Sequence, residues 1–407
     1  MESNSIKDNL FCCGCRACEQ ICPKHAIYIS NDNEGFLKAN IDTSQCINCG
    51  LCRQICPAEL KKNSFPVTSK IFAAVHKQDA VVRRSSSGGM FSAFADYVLK
   101  RRGSVYGCRL NEDLKPVQYR IEDKDELDVL RRSKYIQSDT QHTYSQVKQD
   151  LLAGIAVLYV GTPCQIAGLR NFLMEPYENL YCIDLICHGV PSAQLFKQAI
   201  EWWSAKLKGP VDKYEFRLKP GYYYNYYYFF LECSKNKKKI QKPYFYDPYY
   251  EAFYNFKSYN EMCYKCPYAC LERVGDITVG DYSWAIEHHS DLCKANAGKS
   301  HAISCVLVNS EAGERLFNTV SDSLDLYKTK LDWVTERNKN LLRPTHRPQE
   351  RDNFYNDINK IGYKKWARKY FHSEAFLKNI PVVSYVFRIK NKLKRIKNTL
   401  KKKGNRL

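Results

Sequence analysis

The sequence predicts two units of different class in one chain: a small α+β cysteine-rich domain, then a larger α/β body, with a basic helical or disordered C-terminal tail. Three observations predict this. Nine of the 19 cysteines fall in two short runs before residue 60, eight of them at a repeated spacing. From residue 71 onward, apolar runs of strand length alternate with stretches of helical spacing, the order that builds a largely parallel sheet. Residues 361–407 carry 15 Lys or Arg against one acid, Glu374. The boundaries predicted are 1–62 for the cysteine-rich domain, 67–145 and 146–345 for the two parts of the body, and 346–407 for the tail.

The first run contains Cys12, Cys15, Cys18, Cys22 and Pro23, and the second Cys46, Cys49, Cys52, Cys56 and Pro57. Each reads C-x2-C-x2-C-x3-C-P, the spacing with which three thiolates wrap one cubane iron–sulfur cluster and the fourth reaches the other cluster. Cys12, Cys15, Cys18 and Cys56 therefore belong to one [4Fe–4S] cluster, and Cys46, Cys49, Cys52 and Cys22 to a second. Cys13 falls outside the spacing and reads as a bystander. Zinc or disulfides are the alternative, but zinc sites join C-x2–4-C pairs rather than runs of four ending in Pro. Between the runs, 26–29 and 36–39 read as a hairpin about the polar turn 31–35, and 61–66 as a linker. The stretch resembles the bacterial-type twin-cluster ferredoxin domain, which makes the first unit a ferredoxin-like cluster domain where electrons enter or leave.

A chain of 407 residues, 44% of them hydrophobic, has the length for two or three domains and a sizeable core. The first residues lack an apolar segment, and no run approaches the roughly 18 apolar residues of a membrane span. With so many cysteines, this predicts a reducing compartment and a cytoplasmic protein. Of the net charge of +20, residues 361–407 supply +14. The rest is only mildly basic, so no nucleic-acid partner is expected.

In the body, 71–75 reads as a strand. Ser85, Ser86, Ser87, Gly88 and Gly89 then lead into a helix over 93–99. Small residues at a helix start leave N–H groups for an anion, and the loop reads as a phosphate cradle for a nucleotide cofactor. It reads equally as an ordinary capped helix, which needs only one Ser. Strand 103–108 follows, then helices at 125–132 and 144–152. Two buried strands, 156–160 and 180–186, end in Gly161-Thr162-Pro163-Cys164 and in Cys187-His188-Gly189. Ligands of α/β proteins collect at such strand ends. The tyrosines of 222–228 and 244–250 flank a polar turn at 235–239 and read as a β-hairpin, serving sheet packing or an aromatic substrate platform. Cys263 and Cys266 form another C-x2-C pair before a strand, and 303–308 reads as the last clear strand.

Four motifs then carry a family resemblance: Ser85-Ser86-Ser87-Gly88-Gly89, Ser133-Lys134-Tyr135, Gly161-Thr162-Pro163-Cys164-Gln165 and Cys187-His188-Gly189. With Cys263, Cys266 and Gly280-Asp281, residues 1 to about 340 resemble the coenzyme F420 hydrogenase/dehydrogenase beta-subunit family. The resemblance implies a flavin-binding α/β body. It makes Ser85 to Gly89, Lys134, Gly161 and Thr162 candidate FAD contacts. It makes Cys164, Cys187, Cys263 and Cys266 candidate ligands of a third [4Fe–4S] cluster, with Cys270 as a substitute. Cys164 and Cys187 read alternatively as buried core thiols. Cys108, Cys182, Cys233, Cys293 and Cys305 match no motif and read as structural. His188 reads as a proton donor near the flavin or as a hydrogen-bonding neighbour of a metal ligand. Relatives often show Gly-Asp-Phe-Trp-Gly, where this chain has Gly280-Asp281-Tyr282-Ser283-Trp284-Ala285.

The function implied is an iron–sulfur flavoprotein oxidoreductase. Electrons pass between a two-electron donor or acceptor at FAD, coenzyme F420 or another small reducible substrate, and clusters that connect to ferredoxin or another redox partner. The alternative is a non-catalytic electron-transfer subunit docked on a partner enzyme. In the tail, Ile389, Leu393, Ile396 and Leu400 fall on one helix face among ten Lys and Arg from Arg388 to Arg406. This reads as a solvated, frayed tail or as a helix lying peripherally on the inner membrane face.

Overall fold

Ile27–Asn31 (β1) and Leu37–Ile41 (β2) pair antiparallel, with Ile27 opposite Ile41, as the hairpin between the two cysteine runs. Asp32 closes the turn, its carboxylate accepting from the N–H groups of Glu34 and Phe36, both at 2.9 Å. Helices Ala17–Ile21 and Leu51–Gln54 lie in the two cysteine runs. In this computed structural model, residues 11–59, 64–219, 227–283, 285–295 and 302–371 are described.

The body strands are Ile71–His76 (β3), Ser104–Leu110 (β4), Pro116–Ile121 (β5), Val157–Gly161 (β6), Leu180–Leu185 (β7), Lys213–Leu218 (β8), Tyr228–Cys233 (β9), Lys238–Pro243 (β10), Ile277–Asp281 (β11), Ser304–Val308 (β12) and Leu324–Lys328 (β13). Eight of them form one sheet in the order β13-β3-β12-β11-β7-β6-β4-β5. β4, β6, β7 and β11 run parallel, and β12 lies antiparallel between β11 and β3, so β3 points the same way as β11. The parallel strands are apolar on both faces, as a sheet covered on both sides requires. Helices Met90–Leu99 and Glu311–Val320 share a core cluster with one face, whereas Thr143–Leu152 and Pro163–Leu173 share another. This topology brings the carboxyl ends of β3, β6, β7 and β11 to one edge.

Several elements differ from the sequence-based expectation. Strand 303–308 is not the last, because β13 follows and pairs antiparallel with β3. β5 and β8 were not expected; β8 alternates as a half-buried strand should, Tyr214 and Phe216 inward. The tyrosine hairpin is β9–β10, and it stops at Pro243. Tyr249 and Tyr250 lie instead on helix Pro248–Tyr254, which Asp247 starts by accepting from the Tyr249 N–H at 3.0 Å. Both rings are fully buried, which is the packing role. Residues 222–226 lie outside the described residues.

The boundary at 346 is also corrected. Helix Arg351–Phe371, kinked at Gly362 with φ of 75°, buries Phe354, Tyr355, Ile358, Trp366 and Phe371 in the core it shares with β8, β9 and helix Ala193–Leu207. These apolar groups make residues 351–371 part of the body. The amphipathic segment expected at 388–406 lies outside the described residues. No described helix is long and apolar enough to cross a membrane.

The cluster domain is fastened to the body at several points. Arg16 Nη2 donates to the Asp139 carboxylate at 2.9 Å. Gln137 accepts the Leu37 N–H at 2.8 Å and donates to the Cys13 carbonyl at 3.0 Å. Tyr268 Oη donates to the Pro57 carbonyl at 2.7 Å. Arg351, 1% exposed, pairs with Glu34 on the hairpin turn at 2.8 Å.

Candidate metal centres

Burial, then Cys12, Cys56 and Cys52, push Cys18 well above the ordinary thiol range, and Cys18 and Cys56 also act on Cys15; Cys12, Cys15, Cys18 and Cys56 are grouped as a first cradle. Cys22, Cys46, Cys49 and Cys52 line a second one. The first cradle is an inner one, with Cys15 and Cys18 buried. The second is an outer one, with Cys49 exposed beside Ile47, which is 56% exposed. Burial pushes Cys56 up to about 11. Such crowded thiols lose their protons when a cation takes them as ligands. A tetrahedral zinc with Zn–S near 2.3 Å would draw its sulfurs to roughly 3.8 Å from one another. Among the described residues, the one group of three or more metal-ligating side chains with all its ligand atoms within 4.8 Å of one another is Glu287, His288 and Glu336.

A third set gathers in the body. Cys164, Cys187, Cys263 and Cys266 line one cleft, together with Cys13, His188 and Arg273. Cys164 sits in the first turn of helix Pro163–Leu173, whose start is held by the Thr162 N–H donating to Gln165 Oε1 at 3.1 Å. Thr162 Oγ1 lies 3.2 Å from Cys164 Sγ. Cys187 follows the end of β7. The loop carrying Cys263 and Cys266 is anchored by Arg273, 2% exposed, which donates to the carbonyls of Tyr268 at 2.8 Å and Leu185 at 3.2 Å and pairs with buried Asp184 at 3.0 Å. Burial, then the neighbouring Cys164, pushes Cys187 and Cys266 up to about 12. Cys270 turns away: its thiol donates to the carbonyls of Pro267 and Glu272 in its own loop. Cys108, Cys182, Cys233, Cys293 and Cys305 do not line the cleft. Cys13, outside the motif spacing, does line it.

The Ser85–Gly89 loop lies elsewhere on the same sheet edge, and most of its polar groups turn inward. Ser85 Oγ donates to the Val81 carbonyl at 2.8 Å, Ser87 Oγ to the Ile303 carbonyl at 3.0 Å, and the Gly88 N–H to Ser304 Oγ at 2.9 Å. Ser86 Oγ accepts from the Ser133 N–H at 2.8 Å. A Cβ on Gly88 would stand 2.4 Å from the Ala74 carbonyl oxygen. Glycine there allows close packing on β3. Gly89, with φ of 96°, starts helix Met90–Leu99 without a side-chain cap.

Lys134 donates to the carbonyls of Arg131 at 2.6 Å and Val129 at 3.1 Å, and burial lowers its ammonium to about 8. Two further cations reach the loop from β8 and its end. Arg217 donates to the Ser86 carbonyl at 2.9 Å and pairs with Asp281 at 2.6 Å, and Lys219 donates to the Ser87 carbonyl at 2.8 Å. Burial, then Arg217, lowers Lys219 to about 7. Burial lowers His188, which Asp281 and Asn340 partly offset. Thr162 lines the cysteine cleft, and Gly161 ends β6 just before it. Trp284 lies outside the described residues.

Comparison with known proteins agrees with these two regions. Residues 11–60 match the 4Fe-4S dicluster domain. Residues 155–332 match the C terminus of the beta subunit in the coenzyme F420 hydrogenase/dehydrogenase family. The chain thus joins a 4Fe-4S dicluster domain to a region similar to the C terminus of that beta subunit. A chain of the xenon-derivatised F420-reducing [NiFe] hydrogenase complex from Methanosarcina barkeri aligns with a TM-score of 0.45 and 14% identity, over 74% of this chain and 95% of that one. No curated protein matches. The family match begins within the body and covers the strands that present Cys164, Cys187, Cys263, Cys266 and Asp281.

Proposed function

We propose that this chain passes electrons between a small two-electron substrate at the body and the iron–sulfur centres of its N-terminal domain. The substrate is coenzyme F420 or another small reducible compound, and an external carrier such as ferredoxin is served at the outer cradle. One observation carries this reading. The inner cradle backs onto helix Pro163–Leu173, where a Cβ on Gly168 would stand 3.0 Å from Cys15 Sγ. Cys164, one turn earlier on that helix, opens the body's four-cysteine cleft. Cluster domain and body cleft thus share one helix.

In this reading Cys164, Cys187, Cys263 and Cys266 hold a third [4Fe–4S] cluster, with Arg273 fixing the loop that carries two of them. FAD, when bound, supplies exchange of electron pairs on one side and single electrons on the other. Its phosphates are met by the uncapped first turn of helix Met90–Leu99 and by Lys134 and Lys219, not by the hydroxyls of Ser85 and Ser87. Arg217 and Asp281 brace this edge through their ion pair. His188, kept neutral near pH 7 by burial, holds a proton beside the cleft.

The second reading is an electron-transfer subunit with no substrate site of its own. The inward hydrogen bonds of Ser85, Ser87 and Gly88 favour it. Anaerobic purification with iron, sulfide and flavin analysis tests both. About twelve irons per chain, bound flavin and reduction by a screened donor support the first. Protein that carries no flavin and binds none when offered supports the second. For the tail, a cytoplasmic protein resting on the inner membrane face predicts salt-sensitive binding to anionic vesicles. Truncation after Pro381 then abolishes it, whereas equal sedimentation of both forms removes the tail as an anchor.

A further inference from the structure

Resting on the reading of the two N-terminal cradles as electron-carrying [4Fe–4S] centres, we infer that Lys38 is a positioning residue for electron transfer. Its buried ammonium, lodged between the inner cradle and the body cleft, raises the reduction potential of the inner centre above that of the outer one. The inner centre is then reduced first, at the junction with the body.

Lys38 lies on β2, where successive side chains face opposite ways. Ala39 turns to the cysteines, in a core cluster with Cys18 and Cys52, whereas Lys38 turns to the body. Lys38 is 8% exposed, and its Nζ donates to the Cys12 carbonyl at 3.2 Å and to Asn260 Oδ1 at 3.4 Å. Asn260 lines the body cleft, and its Nδ2 donates to the same Cys12 carbonyl at 3.3 Å. The ammonium therefore stands against the backbone of an inner-cradle ligand and against a residue of the cleft wall. Other carbonyls around the inner cradle also meet body side chains. Cys13 accepts from Gln137 Nε2 at 3.0 Å, Cys15 from Thr140 Oγ1 at 2.8 Å and Pro57 from Tyr268 Oη at 2.7 Å. Those three donors are neutral groups, and Lys38 brings a charge to the same surface.

Fastening the two domains does not call for that charge. Neutral donors do the same work at Cys13, Cys15 and Pro57, without the cost of taking an ammonium out of water. What the ammonium adds is a field, and a field acts more strongly where water is excluded. Net charge and burial are among the factors that set the potential of an iron–sulfur centre. Reduction makes a centre one unit more negative, so a nearby cation favours the reduced form. The outer cradle opens at Ile47 and exposed Cys49, where water and salt screen such a charge. When one electron from the external carrier passes from the outer centre to the inner one, the outer is oxidised and the inner reduced. Lys38 keeps its protons, and no bond forms or breaks.

The test uses the full chain, reconstituted anaerobically, as wild type, Lys38→Met and Lys38→Arg. Iron and sulfide are counted, and each centre is titrated potentiometrically with detection by electron paramagnetic resonance. Cys49→Ser, which alters only the outer ligation, identifies the outer signal. Lys38→Met keeps the length of the side chain and removes its charge. At a fixed potential it should lower the ratio of reduced to oxidised inner centre about tenfold, a fall of about 59 mV for a one-electron couple. The outer centre should move less, and Lys38→Arg should recover most of the shift. Lys38→Gln provides the measurement if Lys38→Met does not load iron. A merely structural lysine would change iron loading and leave the potential of the loaded centres where it was. An unchanged inner potential in the variants that remove the charge therefore overturns the role of Lys38 and leaves the electron-transfer reading standing. Equal shifts of both centres overturn it as well. Wild-type protein whose iron-loaded cradles take up no electrons across the titration overturns the underlying reading, and the inference with it.

Discussion

The inner and outer cradles have the same cysteine spacing and different surroundings. The inner one is closed over by helix Pro163–Leu173, by Tyr268 on Pro57 and by Asn171 Nδ2 donating to the Ile55 carbonyl at 3.1 Å. The outer one opens beside Ile47 and exposed Cys49. The motif therefore sets which cysteines come together, while the fold around it sets what each centre can reach. Burial, hydrogen bonds to sulfur and solvent access are the levers by which a protein separates two centres of identical ligation.

The comparison breaks most visibly at the inner side. Arg351→Ala takes the buried guanidinium from Glu34, whose own side chain is 31% exposed, and should cost about 1–3 kcal/mol. The midpoint of urea unfolding should fall accordingly. A midpoint within error of the wild type would mean that the cluster domain is not clasped at its hairpin.

Gly168→Val drives two methyl groups toward Cys15 Sγ and toward Tyr144 Oη, which stands 3.1 Å from the Cβ position. Overpacking of this kind costs about 1–3 kcal/mol. The thermal midpoint should drop and the iron of the inner cradle should load less completely. Ile47→Ala at the outer cradle, an exposed change, should stay within about 0.5 kcal/mol of wild type. Equal losses in the two variants would erase the distinction between the cradles.

Thiol reactivity in the metal-free protein sharpens the same contrast. At pH 8, iodoacetamide should alkylate Cys49 at least about tenfold faster than Cys18, because the thiolate is the reacting form and must be reachable. Burial holds Cys18 well above the ordinary thiol range, so its alkylation should still be rising past pH 9. Peptide mass spectrometry against time gives both rates. A small effect is also expected for Arg53→Ala. It removes an ion pair to Glu59 at 2.9 Å whose Arg side chain is 56% exposed. Its cost should be no more than about 1 kcal/mol.

How much of this was legible in the sequence follows from how local each signal is. The eight cluster-domain cysteines carry their pairing in their spacing, because one short loop supplies three ligands. The gathering of Cys164, Cys187, Cys263 and Cys266 rests on three separate loops, and only a family resemblance linked them beforehand. Arg273 and Asp184 gave no sign, since their partnership spans 89 residues. Arg217 and Lys219 were missed with β8, although the alternation of Lys213 to Leu218 was there to be read. The helix start at Asp247-Pro248 was likewise readable, but the surrounding tyrosines argued for a strand. Residues 351–371 looked like tail because lysines separate the aromatic groups and Gly362 interrupts their period. The serine loop shows the opposite failure: its composition suggested an anion cradle, while Ser85, Ser87 and Gly88 are spent on their own sheet.

The clasp between Glu34 and Arg351 also orders events at the ribosome. The two residues are 317 positions apart, and synthesis at ~5–20 residues per second separates their emergence by roughly 15 to 60 s. Throughout that interval the twin cysteine runs are outside the exit tunnel while the helix that fastens their hairpin has not been made. The residues that close the inner cradle, Gly168, Asn171 and Tyr268, are made well before Arg351, so in synthesis the cradle's cover precedes the clasp on its hairpin.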